Sequence, residues 1–578
     1  PVAFWSKMPP MKIGDGFEAT RTIHPPASPA ARSSQGRANQ PIILKSLPQS
    51  PLMSLLRSVG LAGFLGGALL ACSRQVGPPA PAVRSQKPTL LVFFTVDQLT
   101  PAYFQWFGDE LDGGLARLLR QGAVFTNGHQ DHAITETAPG HASTMSGRFP
   151  RGTGITRNLR GVNDRSTPLI GAPDLGASPR RFRGTTLTDW LVAADSSTRA
   201  LSVSAKDRGA ILPIGRSKQN VFWFSNDGLL TTSTWYRDTL PDWVKAFNAR
   251  RQVESFAGKA WNLLLDRSHY HEEDSVPVEA FGKNVVFPHV MPTDSAKVGA
   301  QLRFTPYMDQ MILAAALDGL RTLDLGRGPG TDVLAISLSA TDYIGHFYGP
   351  ESLEAHDQIH RLDRALAAFF DTLFKLRDST RIIFALTADH GVGMTPERAG
   401  KLRVGLKPAM DSARALVKSR GGNPEALDLE SGAFFIELDQ LKLDQSAVDS
   451  IIGTFVAAAR RIPGVARVDR FDTFATMDTT RDEVARRWLH MFPDDARPVA
   501  VATLAEGNVF NYPIIATHGS PNRHDSHVPI IFYGPPFAPG RYPEFVRTVD
   551  IAPTLARVLG VEPLERLDGR PLTDAIRR

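Results

Sequence analysis

An α/β fold around a central, mostly parallel sheet flanked by helices is what this sequence predicts, on three observations. Residues 89–96, 332–338 and 381–388 are apolar runs without the polar alternation of a half-wet strand, so they read as strands buried on both faces. Each is followed at once or within a few residues by an acid: Asp97, Asp342 and Asp389. Helical periodicity fills the spaces between them, as βαβ units require.

Bulk composition narrows the class. The chain has 578 residues, 42% hydrophobic and 21% charged, enough for one large domain or two to three smaller ones. A formal charge of +6 is small at this length, and no dense basic run accompanies it, which argues against a nucleic-acid partner. The single cysteine, Cys72, rules out a disulfide within the chain and leaves His, Asp and Glu to build any metal site.

Residues 1–52 are rich in Pro, Ser, Ala and Arg and show no apolar periodicity. They read as a disordered leader, or as an extension ahead of a true start at Met53. Residues 53–57 give a short basic start, and 58–71 a small-and-apolar run too short to span a membrane comfortably. The run ends Leu69-Leu70-Ala71-Cys72, which resembles a bacterial lipoprotein signal over 53–72 with Cys72 as the lipidated residue. Export to the periplasm or cell envelope, with a possible lipid anchor on the outer membrane, is the expectation. Residues 73–88 read as a tether.

The first strand, 89–96, delivers Asp97 to a carboxyl end, where open α/β sheets bind ligands. A short helix over 115–120 and a strand over 123–126 follow. Thr137 then stands two residues before Pro139-Gly140. Proline favours the first turn of a helix, so this hydroxyl sits near unpaired N–H groups at the positive dipole end. That suits an N-cap or a phosphate site. A glycine-rich loop runs from 147 to Asn158. Beyond a strand at 201–204, continued extension would put Lys206 and Arg208 on one face, as an anion clamp or as two solvated charges.

Residues 217–300 alternate aromatic clusters with polar loops and read as a lid insertion. Past the strand at 332–338, Asp342 and His346 are four apart, so one helical turn can aim both at one metal. The helix over 352–376 also carries His356 and His360 four apart; with no acid from a strand end beside them, they read as helix-face histidines. The strand at 381–388 ends in Asp389-His390. Residues 393–510 change texture, with strands near 433–437 and 497–503 and an amphipathic helix at 446–460, and read as an inserted α+β subdomain. The catalytic α/β domain, 89–392, resumes over 511–578 with His518, His524 and His527, a strand at 528–533 and a helix at 549–559.

Taken together, Asp97, Thr137, Asp342, His346, Asp389, His390 and His527 occur in the order seen in the alkaline phosphatase superfamily. From about residue 89 to the C-terminus the chain is similar to its type I phosphodiesterase/nucleotide pyrophosphatase branch. Thr137-Ala138-Pro139-Gly140-His141, Asn158 and Lys206-Asp207-Arg208 narrow the resemblance to the phosphate-irrepressible, PafA-like alkaline phosphatases. The resemblance implies an alkaline-phosphatase-like fold and two Zn²⁺ per chain. One ion would be held by Asp342, His346 and His527, the other by Asp97, Asp389 and His390 with the Thr137 oxygen. Asn158, Lys206 and Arg208 would hold phosphate oxygens. The implied activity is hydrolysis of small phosphate monoesters through a phospho-threonine, by a monomer that touches membrane only through its anchor. Two cations favour the extra charge of a monoester. The alternatives are a phosphodiesterase or nucleotide pyrophosphatase of the same superfamily, and a non-catalytic lipoprotein that binds phosphate esters. A sulfatase would need Cys or Ser at position 137. His129, His132, His141, His518 and His524 are left as structural or outlying histidines, His518 being the first exception to consider.

Overall fold

The computed structural model describes residues 86–577. The leader, the signal-like segment with Cys72 and most of the tether lie outside the described residues.

Nine strands form the main sheet. In chain order they are β1 (Leu90–Val96), β2 (Ala123–His129), β3 (Ala200–Ser204), β4 (Asn220–Phe224), β5 (Leu230–Thr231), β6 (Asp332–Leu338), β7 (Ile382–Thr387), β8 (His527–Tyr533) and β9 (Gly540–Arg547). Their spatial order is β9-β2-β8-β7-β1-β6-β3-β4-β5. β8 is antiparallel to both its neighbours and β5 to β4; the remaining pairs are parallel.

The apolar runs are continuous because both faces are covered. On β1, Leu90, Val92, Phe94 and Val96 enter one core, while Leu91 and Phe93 enter the other. The first core is closed by helix α4 (Leu353–Leu376), which contributes Ile359, Leu362, Leu366, Phe369, Phe370 and Leu373. The Phe94 and Phe369 rings meet edge to face at 5.6 Å. The second core is closed by α1 (Thr137–Ser146) through Ala138, Ala142 and Met145, and by α5 (Ile551–Leu559) through Ile551 and Leu555. Each fully buried large apolar side chain contributes about 1.5–3 kcal/mol. An odd–even division of Leu and Phe between two cores therefore fixes the register of β1. That register pairs Val96 with Leu338 and Thr95 with Thr387, so the chain leaves β1, β6 and β7 at one edge of the sheet.

One boundary needs adjustment. The segment read as a lid over 217–300 begins inside the sheet, because β4 and β5 are its last two strands on one side. Phe222 and Phe224 are buried in the α4 core rather than in a cap. The 393–510 segment does carry an antiparallel four-stranded sheet, in the order Leu427–Glu430, Ala433–Ile436, Ala500–Leu504, Val465–Arg470. With the helices Lys407–Ser419 and Gln445–Ala459 it closes its own core, where the Phe434 and Phe455 rings stack at 4.2 Å.

Candidate active site

The carboxyl edge of β1, β6 and β7 assembles the acids. Asp97 is fully buried just past β1, its N–H bonded to the Leu338 carbonyl at 2.9 Å. Asp342 sits in the first turn of helix α3 (Ala340–Tyr348), whose start is held by Asp309, which accepts from the Ser339 and Ala340 N–H groups. Asp389 and His390 follow β7 and are fully buried.

Three imidazoles face these acids in the same manner. His346 Nδ1 donates to the Ala516 carbonyl at 2.7 Å, His518 Nδ1 to the Thr135 carbonyl at 2.7 Å and His390 Nδ1 to the Gly391 carbonyl at 3.1 Å. A carbonyl can only accept, so each Nδ1 carries the proton and each Nε2 is turned toward the acids. His346 Nε2 lies 3.1 Å and His518 Nε2 3.6 Å from Asp342 Oδ1. His390 Nε2 lies 3.4 Å from Asp97 Oδ1 and 3.5 Å from Asp389 Oδ2. Fixing the outer nitrogen on a carbonyl is how proteins orient a metal-binding histidine.

His527 does not join this group. It opens β8 opposite His129 on β2, stacks on that ring at 5.0 Å, and its Nε2 meets the Thr126 carbonyl at 3.0 Å. The β8–β2 pairing fixes this position. The imidazole beside Asp342 and His346 comes instead from the loop before β8, as His518. Of the other histidines left over, His141 also belongs here. Its Nδ1 lies 2.9 Å from the Thr137 carbonyl and 3.2 Å from Asp389 Oδ2, and its Nε2 meets Ser337 Oγ at 2.9 Å. His129 bonds Ser526 and Asn127, His132 bonds Gln130, and His524 bonds Glu506, outside the site.

Electrostatics make the acid group dependent on cations. Burial and the nearby Asp342 and Asp389 raise the Asp97 carboxyl, against the pull of Lys206. At His390 burial is outweighed by Asp389 and Asp97, which raise it to about 9. Lys206 Nζ bridges Asp97 Oδ2 and Asp342 Oδ2, 2.5 Å from each. Burial works against its charge, and Asp342 and Asp97 outweigh it. Three carboxyl groups this close and this buried are held together by the charges of Lys206 and His390 set against them. Asp97 Oδ1, Asp389 Oδ2 and His390 Nε2 are buried and, among the described residues, meet only one another and the His141 ring, at 3.2–3.5 Å. The ligand atoms of Asp97, Asp389 and His390, and those of Asp342, His390 and His518, form two groups each within 4.8 Å. Oxygen and imidazole donors so grouped fit divalent ions of the zinc type.

Thr137 is the first residue of α1, with Glu136 rather than Thr137 as the cap. The helix is pressed onto the acids at Gly140, where a Cβ would fall 2.1 Å from the Asp389 carbonyl oxygen. Gly140→Ala is accordingly expected to cost roughly 1–3 kcal/mol, seen as a lower melting temperature, and to impair the site. A variant as stable and active as the parent would contradict this packing. Asn158 Oδ1 accepts from Ala138 N–H at 2.8 Å, and Asn158 N–H donates to Glu136 Oε2 at 2.7 Å, which clamps the helix start to the loop.

Lys206 and Arg208 reach this end of the sheet by another route than strand alternation. β3 stops at Ser204; Lys206 is the cap and Arg208 a first-turn residue of the short helix α2 (Asp207–Ile211). Burial opposes the Arg208 charge, but Asp207, Tyr343, Asp97 and Asp342 together raise its pKa. Its Nε is buried without a hydrogen-bond partner among the described residues.

Gln98 was not read as a site residue from sequence. Its backbone N–H donates to Asp389 Oδ1 at 3.2 Å and its side-chain Nε2 to Asp342 Oδ1 at 3.0 Å, so one residue braces both acids. It needs room: a Cβ on Gly345 would lie 1.9 Å from Gln98 Oε1. An amide right after a strand-end acid, with glycine next to a candidate ligand, is the signal that could have found it.

Known proteins share this arrangement of chain. A family model described as Type I phosphodiesterase / nucleotide pyrophosphatase matches residues 91–451. Over 526 residues the chain is 29% identical to alkaline phosphatase PafA of Elizabethkingia meningoseptica, covering 85% of this chain and 95% of that one. Over 527 residues it is 30% identical to alkaline phosphatase PhoK of a Sphingomonas species, covering 85% and 92%. The crystal structure of wild-type alkaline phosphatase PafA matches with a TM-score of 0.79 at 28% identity, over 85% of this chain and 99% of that one. The central sheet with helices on both faces, and the family model's match from the first strand through the Asp389-His390 pair, have one meaning: the chain belongs to the Type I phosphodiesterase / nucleotide pyrophosphatase family.

Proposed function

We propose that the chain is a zinc-dependent phosphomonoesterase, an alkaline phosphatase that releases inorganic phosphate from small monoesters through a phospho-threonine. The observation that carries the reading is the meeting of three buried carboxylates, three inward-turned imidazole Nε2 atoms and two cationic side chains at the start of the Thr137 helix. Asp97, Asp389 and His390, with the Thr137 hydroxyl, would hold one Zn²⁺, and Asp342, His346 and His518 the other. Bound there, such a pair lowers the pKa of a hydroxyl and steadies the charge of a departing oxygen.

The residues then divide the work. Thr137 Oγ1 attacks phosphorus and gives its proton to solvent, the P–O bond to the alcohol breaks, and the departing alkoxide takes a proton from water. Water later cleaves the phospho-threonine and restores the hydroxyl. Asn158, whose Oδ1 is committed to Ala138 N–H, presents Nδ2 to a phosphoryl oxygen. The Arg208 guanidinium offers a planar fork for oxygens and Lys206 a compact charge. Lys206 can turn from Asp97 and Asp342 to phosphate once those acids are neutralised. Such positioning and charge stabilisation supply most of the rate gain in phosphoryl transfer.

A monoester carries one more negative charge than a diester, so the Lys206–Arg208 pair sets the preference. Replacing both with Ala is expected to lower kcat/KM for a monoester by on the order of 10²–10⁴-fold and for a diester far less. Steady-state rates on matched aryl substrates check this; equal losses would favour the diesterase reading. Binding of a phosphate ester without turnover by the zinc-loaded chain would favour the non-catalytic one.

A further inference from the structure

Helix α4 carries a separate cluster that the proposed phosphatase chemistry does not use. His356 and His360, one turn apart on the same face, are buried. Their Nε2 atoms lie 3.2 Å from each other. Glu110, which ends the short turn Gly108–Glu110, places Oε2 at 3.4 Å from each of the two Nε2 atoms. Three donors thus converge at 3.2, 3.4 and 3.4 Å. Ligands about 2.0–2.1 Å from a tetrahedral ion stand about 3.3 Å from one another.

The surroundings are arranged for such a role. His356 Nδ1 meets the Glu272 carboxylate at 3.0 and 3.1 Å, so it carries the proton and Nε2 keeps its lone pair for the centre of the cluster. A carboxylate behind the outer nitrogen is the usual support of a zinc-bound histidine. Phe107 stacks on the His356 ring at 3.8 Å and Tyr270 meets it edge-on at 4.9 Å, which fixes the ring plane. Glu110, His360, His269 and His271 line a cavity of about 440 Å³, which leaves access for a fourth ligand.

We propose that Glu110, His356 and His360 form an additional zinc-type metal site, with Glu272 as the residue that orients His356. Two imidazoles and one carboxylate select a divalent transition ion over Mg²⁺ or Ca²⁺, which prefer oxygen ligands. The ion would tie the Gly108–Glu110 turn and the Glu272 segment to α4. Its role is structural bracing, since no nucleophile or cation of the proposed active site reaches it.

The test counts metal on the full chain. Chelator-stripped protein, reloaded with Zn²⁺ and desalted, is expected to hold one more zinc per chain than the His356→Asn/His360→Asn double variant, by plasma mass spectrometry. In Glu110→Gln, zinc affinity at this site is expected to fall roughly tenfold or more, read by titration with a competing chelator. Monoester turnover should stay within about threefold in both, because none of these residues touches substrate in the proposed reaction. The difference in zinc counts this site alone, whatever binds at Asp97 and Asp342. Glu110 is partly exposed, so its variant is expected to fold even if the double variant does not. Unchanged zinc content and affinity in Glu110→Gln would overturn the assignment, as would equal zinc in the double variant and the parent.

Discussion

Thr137→Ala is expected to lower phosphate-monoester turnover by on the order of 10⁴-fold or more without unfolding the chain. The expectation follows from position. Thr137 opens α1 but does not cap it, so its hydroxyl can be removed while Glu136, Asn158 and the Ala138 N–H keep the helix start in place. What is lost is the oxygen that would accept phosphorus, along with the route through a covalent intermediate. Residual activity would come from the cations and metal ligands alone, which still bind the phosphoryl group. The check is steady-state kcat on an aryl phosphate together with a melting curve. A folded Thr137→Ala chain within tenfold of the parent rate would refute the covalent route.

The second large effect separates two histidines nine positions apart. His518→Ala is expected to reduce activity by at least on the order of 10²-fold and to weaken one bound metal, because His518 Nε2 faces Asp342 Oδ1 and its ring packs against His346 and His390. His527→Ala is expected to remain within a few-fold of the parent. Its ring contacts His129 and the Thr126 carbonyl, which carry none of the proposed chemistry. Parallel kinetics and zinc titrations on the two variants check the pair. The reverse order of losses would return His527 to the centre and contradict the geometry.

That pair also shows where reading a sequence stops. β1, β6 and β7 were legible because burial on two faces writes itself as an unbroken apolar run, and the edge they share follows from parallel pairing. Asp97, Asp342, Asp389 and His390 were legible for the same reason, as polar residues at or just past the ends of such runs. His527 was misplaced because it also adjoins an apolar run. Nothing local says that β8 is antiparallel, or that its first side chain pairs with His129. His518 enters from a loop, and its aim depends on the Thr135 carbonyl, 383 residues away in sequence. Lys206 and Arg208 were found by type, but on an argument from strand alternation that the short helix α2 replaces. Gln98 and His141 act by bonding residues distant in the chain, and periodicity carries no trace of such bonds. Strands β4 and β5 hid within an aromatic stretch, because Phe222 and Phe224 look alike whether they line a sheet or a lid.

A zinc-edge anomalous difference map from crystals of zinc-loaded protein tests the central claim most directly. Two peaks about 3.5–4 Å apart are expected beside Thr137, one among Asp97, Asp389 and His390 and one among Asp342, His346 and His518. A single peak there, or a peak held by His527 in place of His518, would contradict it.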